Sequence, residues 1–186
     1  MFLKQQNPHD LVVSMTGVKM GDRLVQIGCA DAGRLAAVAG RVGLSGRALA
    51  VVPAESVAAR VRHAAARAGV LVELEIASPT TLPLEDDTFD LAVVDDTADF
   101  IGAMRPEGEV ATIREIGRIL RPGGRVVFIG TSPRGGLGRL FTRSQNDPPL
   151  VASGQASALL EADGFKSVRQ LADRDGLVFV EAIKPR

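Results

Sequence analysis

The sequence predicts a doubly wound α/β fold: a mostly parallel, seven-stranded sheet with helices on both faces, finished by an antiparallel C-terminal hairpin. Three observations predict it. Short β-branched and aliphatic runs alternate with longer helical patterns, as they must when helices cross over between parallel strands. Those short runs are apolar at nearly every position, which is how strands covered on both faces read. The last two runs flank a polar turn short enough for a hairpin.

In chain order, Pro8 to Val18 is weakly helical, with Leu11, Val12, Met15 and Val18 on one face, and is expected to cover the sheet. Strands are predicted at Arg23 to Ile27, Ala48 to Val52, Leu71 to Ile76, Asp90 to Val94 and Arg125 to Gly130. Between them Gly33 to Val42 reads as a helix. So does Pro53 to Ala68, opened by Pro53, supported by Glu55, closed by Gly69 and carrying Val57, Val61 and Ala65 on its apolar face. Glu107 to Leu120 places Val110, Ile113, Ile116 and Leu120 at helical spacing and stops before Pro122-Gly123-Gly124. A last helix, Gln155 to Ala162, ends at Gly164. Strands Lys166 to Leu171 and Leu177 to Ile183 then enclose the turn Ala172-Asp173-Arg174-Asp175-Gly176. Residues 131–149, rich in glycine and proline, form the one long irregular stretch and the candidate substrate loop or lid.

At 186 residues the chain is the size of one domain, expected to span 1–186. Lys+Arg 22 against Asp+Glu 22 gives a formal net charge of +0, so no global field draws in nucleic acid or an anionic membrane. With Trp 0 and Tyr 0 the aromatic faces of single-stranded nucleic-acid binders are scarce. The single cysteine, Cys29, excludes an intramolecular disulfide and a cysteine-based zinc site, and no metal centre is expected. No apolar run approaches the roughly 20 residues of a membrane helix, and Met1 to Asp10 is too polar for a secretory signal. A soluble cytoplasmic protein, with neither nucleic acid nor membrane as partner, is the expectation.

Ligands of open α/β sheets sit beyond the carboxyl ends of the strands, where a glycine turn lets backbone and ligand approach. Here that turn is Gly28-Cys29-Ala30-Asp31-Ala32-Gly33. With Leu24-Val25-Gln26-Ile27 before it, Gly46 to Pro53, Leu82-Pro83-Leu84-Glu85-Asp86-Asp87-Thr88-Phe89-Asp90, Ile116 to Arg125 and Ala162-Asp163-Gly164-Phe165, it resembles the class I S-adenosylmethionine-dependent methyltransferases. The type 11-like small-molecule enzymes are the nearest in pattern. The resemblance implies a Rossmann-like fold, S-adenosylmethionine as cofactor and a small-molecule substrate. It places cofactor contacts at Gln26, Gly28, Ala30, Asp31, Val52 and Ser78, and substrate-facing carboxylates at Asp95 and Asp96.

The sequence departs from the family at several of these positions. Gln26 and Val52 stand where the family has acids, Val52 at the position that grips the ribose hydroxyls. Ser78 stands near the acid on the adenine side, and Ala30 and Ala32 replace glycines. Glu55, one helical turn beyond Val52, is the candidate to replace the ribose-binding acid. Arg114, Arg118, Arg121, Arg125, Arg134, Arg139 and Arg143 form a local excess of arginine able to hold an anionic substrate, or else a solvated face. His9 and His63 read as surface histidines, and Cys29 as a packing residue of the turn. Two rival readings remain: a methyltransferase-like binding or assembly protein with impaired catalysis, and a nicotinamide-dependent oxidoreductase, whose ribose acid is equally missing at Val52.

Overall fold

The computed structural model describes residues 8–132 and 149–186. Their elements are α1 (Asp10–Thr16), β1 (Arg23–Ile27), α2 (Ala32–Ala39), β2 (Arg47–Val52), α3 (Glu55–Ala68), β3 (Glu73–Ile76), β4 (Phe89–Asp95), α4 (Pro106–Ile119), β5 (Leu120–Thr131), α5 (Gln155–Ala162), β6 (Lys166–Arg174) and β7 (Leu177–Ile183). One sheet takes all seven strands in the order β3-β2-β1-β4-β5-β7-β6. β1 to β5 are parallel, and β7 runs antiparallel to both β5 and β6. The mixed doubly wound sheet expected from the sequence is the one observed.

Side chains alternate across a strand, so each strand feeds two cores. On one side Val25, Ile27, Val51, Ala92, Val94 and Phe128 meet Ile113, Ile116 and Ile119 of α4 and Leu160 of α5. On the other, Leu24, Ala50, Val52, Leu91, Val93 and Val127 meet Val12 of α1, Leu35 and Val38 of α2 and Ala58 and Val61 of α3. Each full burial of a Val, Leu, Ile or Phe side chain stabilises the fold by about 1.5–3 kcal/mol, so the two-sided apolar strands are the main source of cohesion.

The differences from expectation are local. β3 begins at Glu73; Leu71 before it stays 84% exposed because this strand lies at the sheet edge. The buried face of α3 is Ala58, Val61 and Ala65, with Val57 at its margin. β5 starts at Leu120 and absorbs Pro122-Gly123-Gly124 as an irregularity against β4, Gly123 taking φ 78°. Lys184 holds it there: Gly123 N–H donates to the Lys184 carbonyl and Lys184 N–H to that of Gly124. β6 runs on to Arg174, so the hairpin turn shrinks to Asp175-Gly176. Both residues have positive φ (53° and 77°), the geometry of a tight two-residue turn. The predicted substrate loop falls, from 133 to 148, outside the described residues, with Arg134, Arg139 and Arg143.

The described arginines of the expected anion-binding run are committed elsewhere. Arg118 binds Glu115 and Asp86, Arg121 binds Asp90, Arg125 binds Glu181, and Arg114 faces Asp163 at 3.7 Å. Arg118, Arg121 and Arg125 lie around the start of β5, the end of the parallel strands away from the crevice.

Candidate functional site

The chain leaves β1 toward β2 and later returns to the other flank of β1 as β4, so the winding reverses between β1 and β4. In a doubly wound sheet a ligand crevice opens at that reversal, beyond the carboxyl ends of the strands. The ends of β1, β2, β3 and β4 bring together the sequence-predicted residues Gln26, Gly28, Ala30, Asp31, Val52, Ser78, Asp95 and Asp96.

Gly28 makes the turn possible. It has φ 77°, and a side chain there would begin 2.8 Å from the Asp95 carbonyl oxygen and 3.0 Å from the Phe100 ring. Only glycine accepts both the backbone conformation and the approach. Gln26 is buried, and its side-chain N–H donates to the Gly28 carbonyl at 3.1 Å, so the neutral amide ties down the turn where a carboxylate would repel that oxygen. Asp31 caps α2, accepting from Arg34 N–H at 3.0 Å. His9 is half-buried, not a surface residue as expected: its Nε2 lies 3.0 Å from where a Gly33 side chain would begin. His63 is exposed. Burial and the nearby Asp95 push the Cys29 thiol up to about 12, which leaves it a packing group.

Asp95 and Asp96 are consecutive at the end of β4 and point to opposite sides of the sheet. The fully buried Asp95 side chain faces the glycine turn. It accepts from Ala30 N–H (3.2 Å), Arg34 (3.3 Å) and the Thr97 hydroxyl (2.6 Å), joining β4 to the start of α2. Asp96 accepts from Ile101 N–H at 2.7 Å and Gly102 N–H at 3.2 Å, holding the turn that leads to α4. Burial lifts its carboxyl to about 6 against the pull of those two donors, with Asp99 and Asp95 adding to the rise.

Beside the turn lies a niche of about 460 Å³ lined by Pro53, Ile76, Ala77, Ser78, Pro79, Phe100 and Met104. Its walls are apolar apart from Ser78, whose hydroxyl lies 2.7 Å from that of Thr80. Val52, directly before Pro53, is fully buried in the core under α3. Glu55 does not line the niche; its carboxylate is held by Arg62 on the exposed surface of α3, and this pairing lowers its pKa.

Three side chains here escaped sequence reasoning. Phe100 and Met104 form niche walls, and Arg34 pairs with Asp95. The signal for Phe100 was a large apolar residue closing the polar run Asp95-Asp96-Thr97-Ala98-Asp99. Glu109, on the first turn of α4, is a fourth surprise: it is buried, its carboxyl is raised by that burial, and Gln155 donates to it at 2.6 Å.

The strand order, the reversed β7 and a glycine turn after β1 define the class I methyltransferase architecture. Residues 25–128 match the family model described as a methyltransferase domain. No curated protein matches. Among solved structures, a SAM dependent methyltransferase from Aquifex aeolicus is 19% identical, with TM-score 0.73 over 95% of this chain and 89% of its own. The [4+2]-cyclase SpnF is 18% identical, with TM-score 0.68 over 95% and 79%. A SAM-dependent O-methyltransferase from Thermotoga maritima is 16% identical, with TM-score 0.68 over 100% and 68%. The chain belongs to the methyltransferase domain family, within the class I S-adenosylmethionine-dependent methyltransferases. At these identities the structural likenesses show the fold alone.

The residues present fit that family's cofactor unevenly. The apolar niche suits a flat heteroaromatic base, and Asp95 with Arg34 sets opposite charges beside the glycine turn. For the ribose hydroxyls, Val52 and Pro53 supply neither a carboxylate nor, at Pro53, a backbone N–H.

Proposed function

We propose that the chain is an S-adenosylmethionine-dependent methyltransferase acting on a small molecule. The observation that carries this reading is the niche at the ends of β2 and β3, set beside a glycine turn and two buried carboxylates at the end of β4. When bound, the cofactor supplies an activated methyl group. The protein's part in such an in-line transfer is approach geometry, exclusion of water and, for some acceptors, a base.

On this reading Pro53, Ile76, Phe100 and Met104 hold the base, and Gly28 and Ala30 bring backbone close to the cofactor. Gln26, Asp31 and Asp95 act as positioning residues, because each already braces the turn. Asp96, on the α4 side, is the group suited to orient a substrate or take its proton: a carboxyl near 6 is mostly ionised at neutral pH and still able to accept. Glu55 is not assigned a contact, since Arg62 occupies it.

Titration with S-adenosylhomocysteine, read by calorimetry and thermal unfolding, tests the proposal. Heat of binding and a melting temperature that climbs with ligand are the expected results, because a ligand of the native state stabilises it by RT ln(1 + [L]/Kd). No heat and no stabilisation at about millimolar ligand would overturn it. That outcome would favour a second reading, a methyltransferase-fold binding or assembly protein, which the internal engagement of Asp95 and the aliphatic Val52 support.

A further inference from the structure

Every polar group bordering the niche on the β2 side already has a partner within the protein. The Val51 carbonyl accepts from Gly28 N–H, the Val52 carbonyl from Ala77 N–H, and Arg62 holds the Glu55 carboxylate. Val52 is fully buried and aliphatic, and Pro53 has no N–H to give. The remaining walls, Ile76, Ala77, Pro79, Phe100 and Met104, offer contact area and few hydrogen bonds. A charged or strongly hydrated group entering here would lose water without compensation, at a cost of about 1–3 kcal/mol per unpartnered group on mutational scales. An uncharged planar ring would lose little and gain contact with the Phe100 face.

We infer that this niche grips its ligand by an uncharged heteroaromatic ring and leaves the vicinal hydroxyls of an attached ribose unread, in water. The inference deepens the methyltransferase proposal and rests on it for the identity of the ligand, but it concerns recognition alone. Its signature is indifference to the diol: adenosine and 2′,3′-dideoxyadenosine bind with equal affinity, where a carboxylate gripping the diol would separate them tenfold or more.

The experiment is ligand-observed NMR competition on the full chain with adenine, adenosine, 2′,3′-dideoxyadenosine and S-adenosylhomocysteine. Dissociation constants for adenosine and its dideoxy analogue within about threefold, a difference of less than one hydrogen bond, are expected. Phe100→Ala should weaken both by the same factor, about tenfold or more. A tenfold preference for adenosine would overturn the inference, as would binding of none of the ring compounds. Equal binding of the two nucleosides with no binding of S-adenosylhomocysteine would uphold it and remove the methyltransferase proposal instead. Val52→Asp gives a second readout: where the variant folds, it should acquire a tenfold preference for adenosine. The wild-type pair decides the matter whether or not it folds.

Discussion

At the amino end of the sheet, carboxylates are met by guanidinium groups. Arg118 binds both oxygens of Glu115, and Arg47 grips Glu73 through two hydrogen bonds; each arginine holds its partner's pKa below the usual range. At the carboxyl end, Asp96 and Glu109 are buried beside neutral donors, Ile101 and Gly102 N–H for one and Gln155 for the other, and both are raised. One fold thus uses the same residue type in two ways. Paired acids knit elements together. Acids raised by burial cost stability and cluster where a protein does chemistry, and this asymmetry locates the crevice independently of any family likeness.

The largest expected effect breaks the scaffold side. Arg118 donates to the Leu82 and Leu84 carbonyls as well as to Glu115 and Asp86, and Glu115 in turn accepts from Leu82 N–H. One arginine therefore fastens the segment before β4 to the end of α4. Arg118→Ala should cost about 3 kcal/mol in urea unfolding, because it strips several charge-assisted hydrogen bonds and leaves Glu115 without its cation. Ligand affinity of the folded protein should not change. A loss of affinity in fully folded variant would mean that the two ends are not separate in function.

This division also explains what was legible in the sequence. The segments Leu82 to Phe89 and Ile116 to Arg125 are the most family-like, and they are the ones that Arg118 and Lys184 bind together. Their chemistry is architectural, so their resemblance forecast the sheet, its order and its reversed strand. The crevice was less legible because its partners are distant in the chain. Arg34 meets Asp95 across 61 positions, and Phe100 covers Gly28 only once β4 lies beside β1. Gln26 and Val52 were visible as departures, yet what each touches depends on the packing of α2 and α3. No periodicity marks Glu109 for burial either, since α4 carries acids at both 107 and 109 and only the second faces inward.

A smaller effect sharpens the crevice side. The Asp96 carboxyl rises from an ordinary value near 3.8 to about 6, so the native state binds a proton more readily than the unfolded chain. The stability this confers is complete below about pH 4 and is lost as the pH climbs through 6. The decline is roughly 2–3 kcal/mol by linkage. Asp96→Asn keeps an oxygen to accept from Ile101 and Gly102 N–H and removes the titration, so its stability should fall less than wild type between pH 4 and 6.5. Identical slopes would show that Asp96 does not titrate there and would withdraw it as a candidate base.

Glu55 supplies the smallest expected effect and the sharpest test of the division. It lies at the crevice end of the sheet, one turn beyond Val52, where a replacement for a ribose-binding acid would be sought. Chemically it behaves like an acid of the other end: it is exposed, bound by Arg62 and lowered by that pairing. If partner and burial, rather than position, decide which carboxylates serve the site, Glu55→Gln should leave S-adenosylhomocysteine affinity within about twofold of wild type, less than the weakest hydrogen bond would contribute. A tenfold loss would mean that Glu55 releases Arg62 to grip the ribose, and location would then predict the binding residues better than electrostatic environment does.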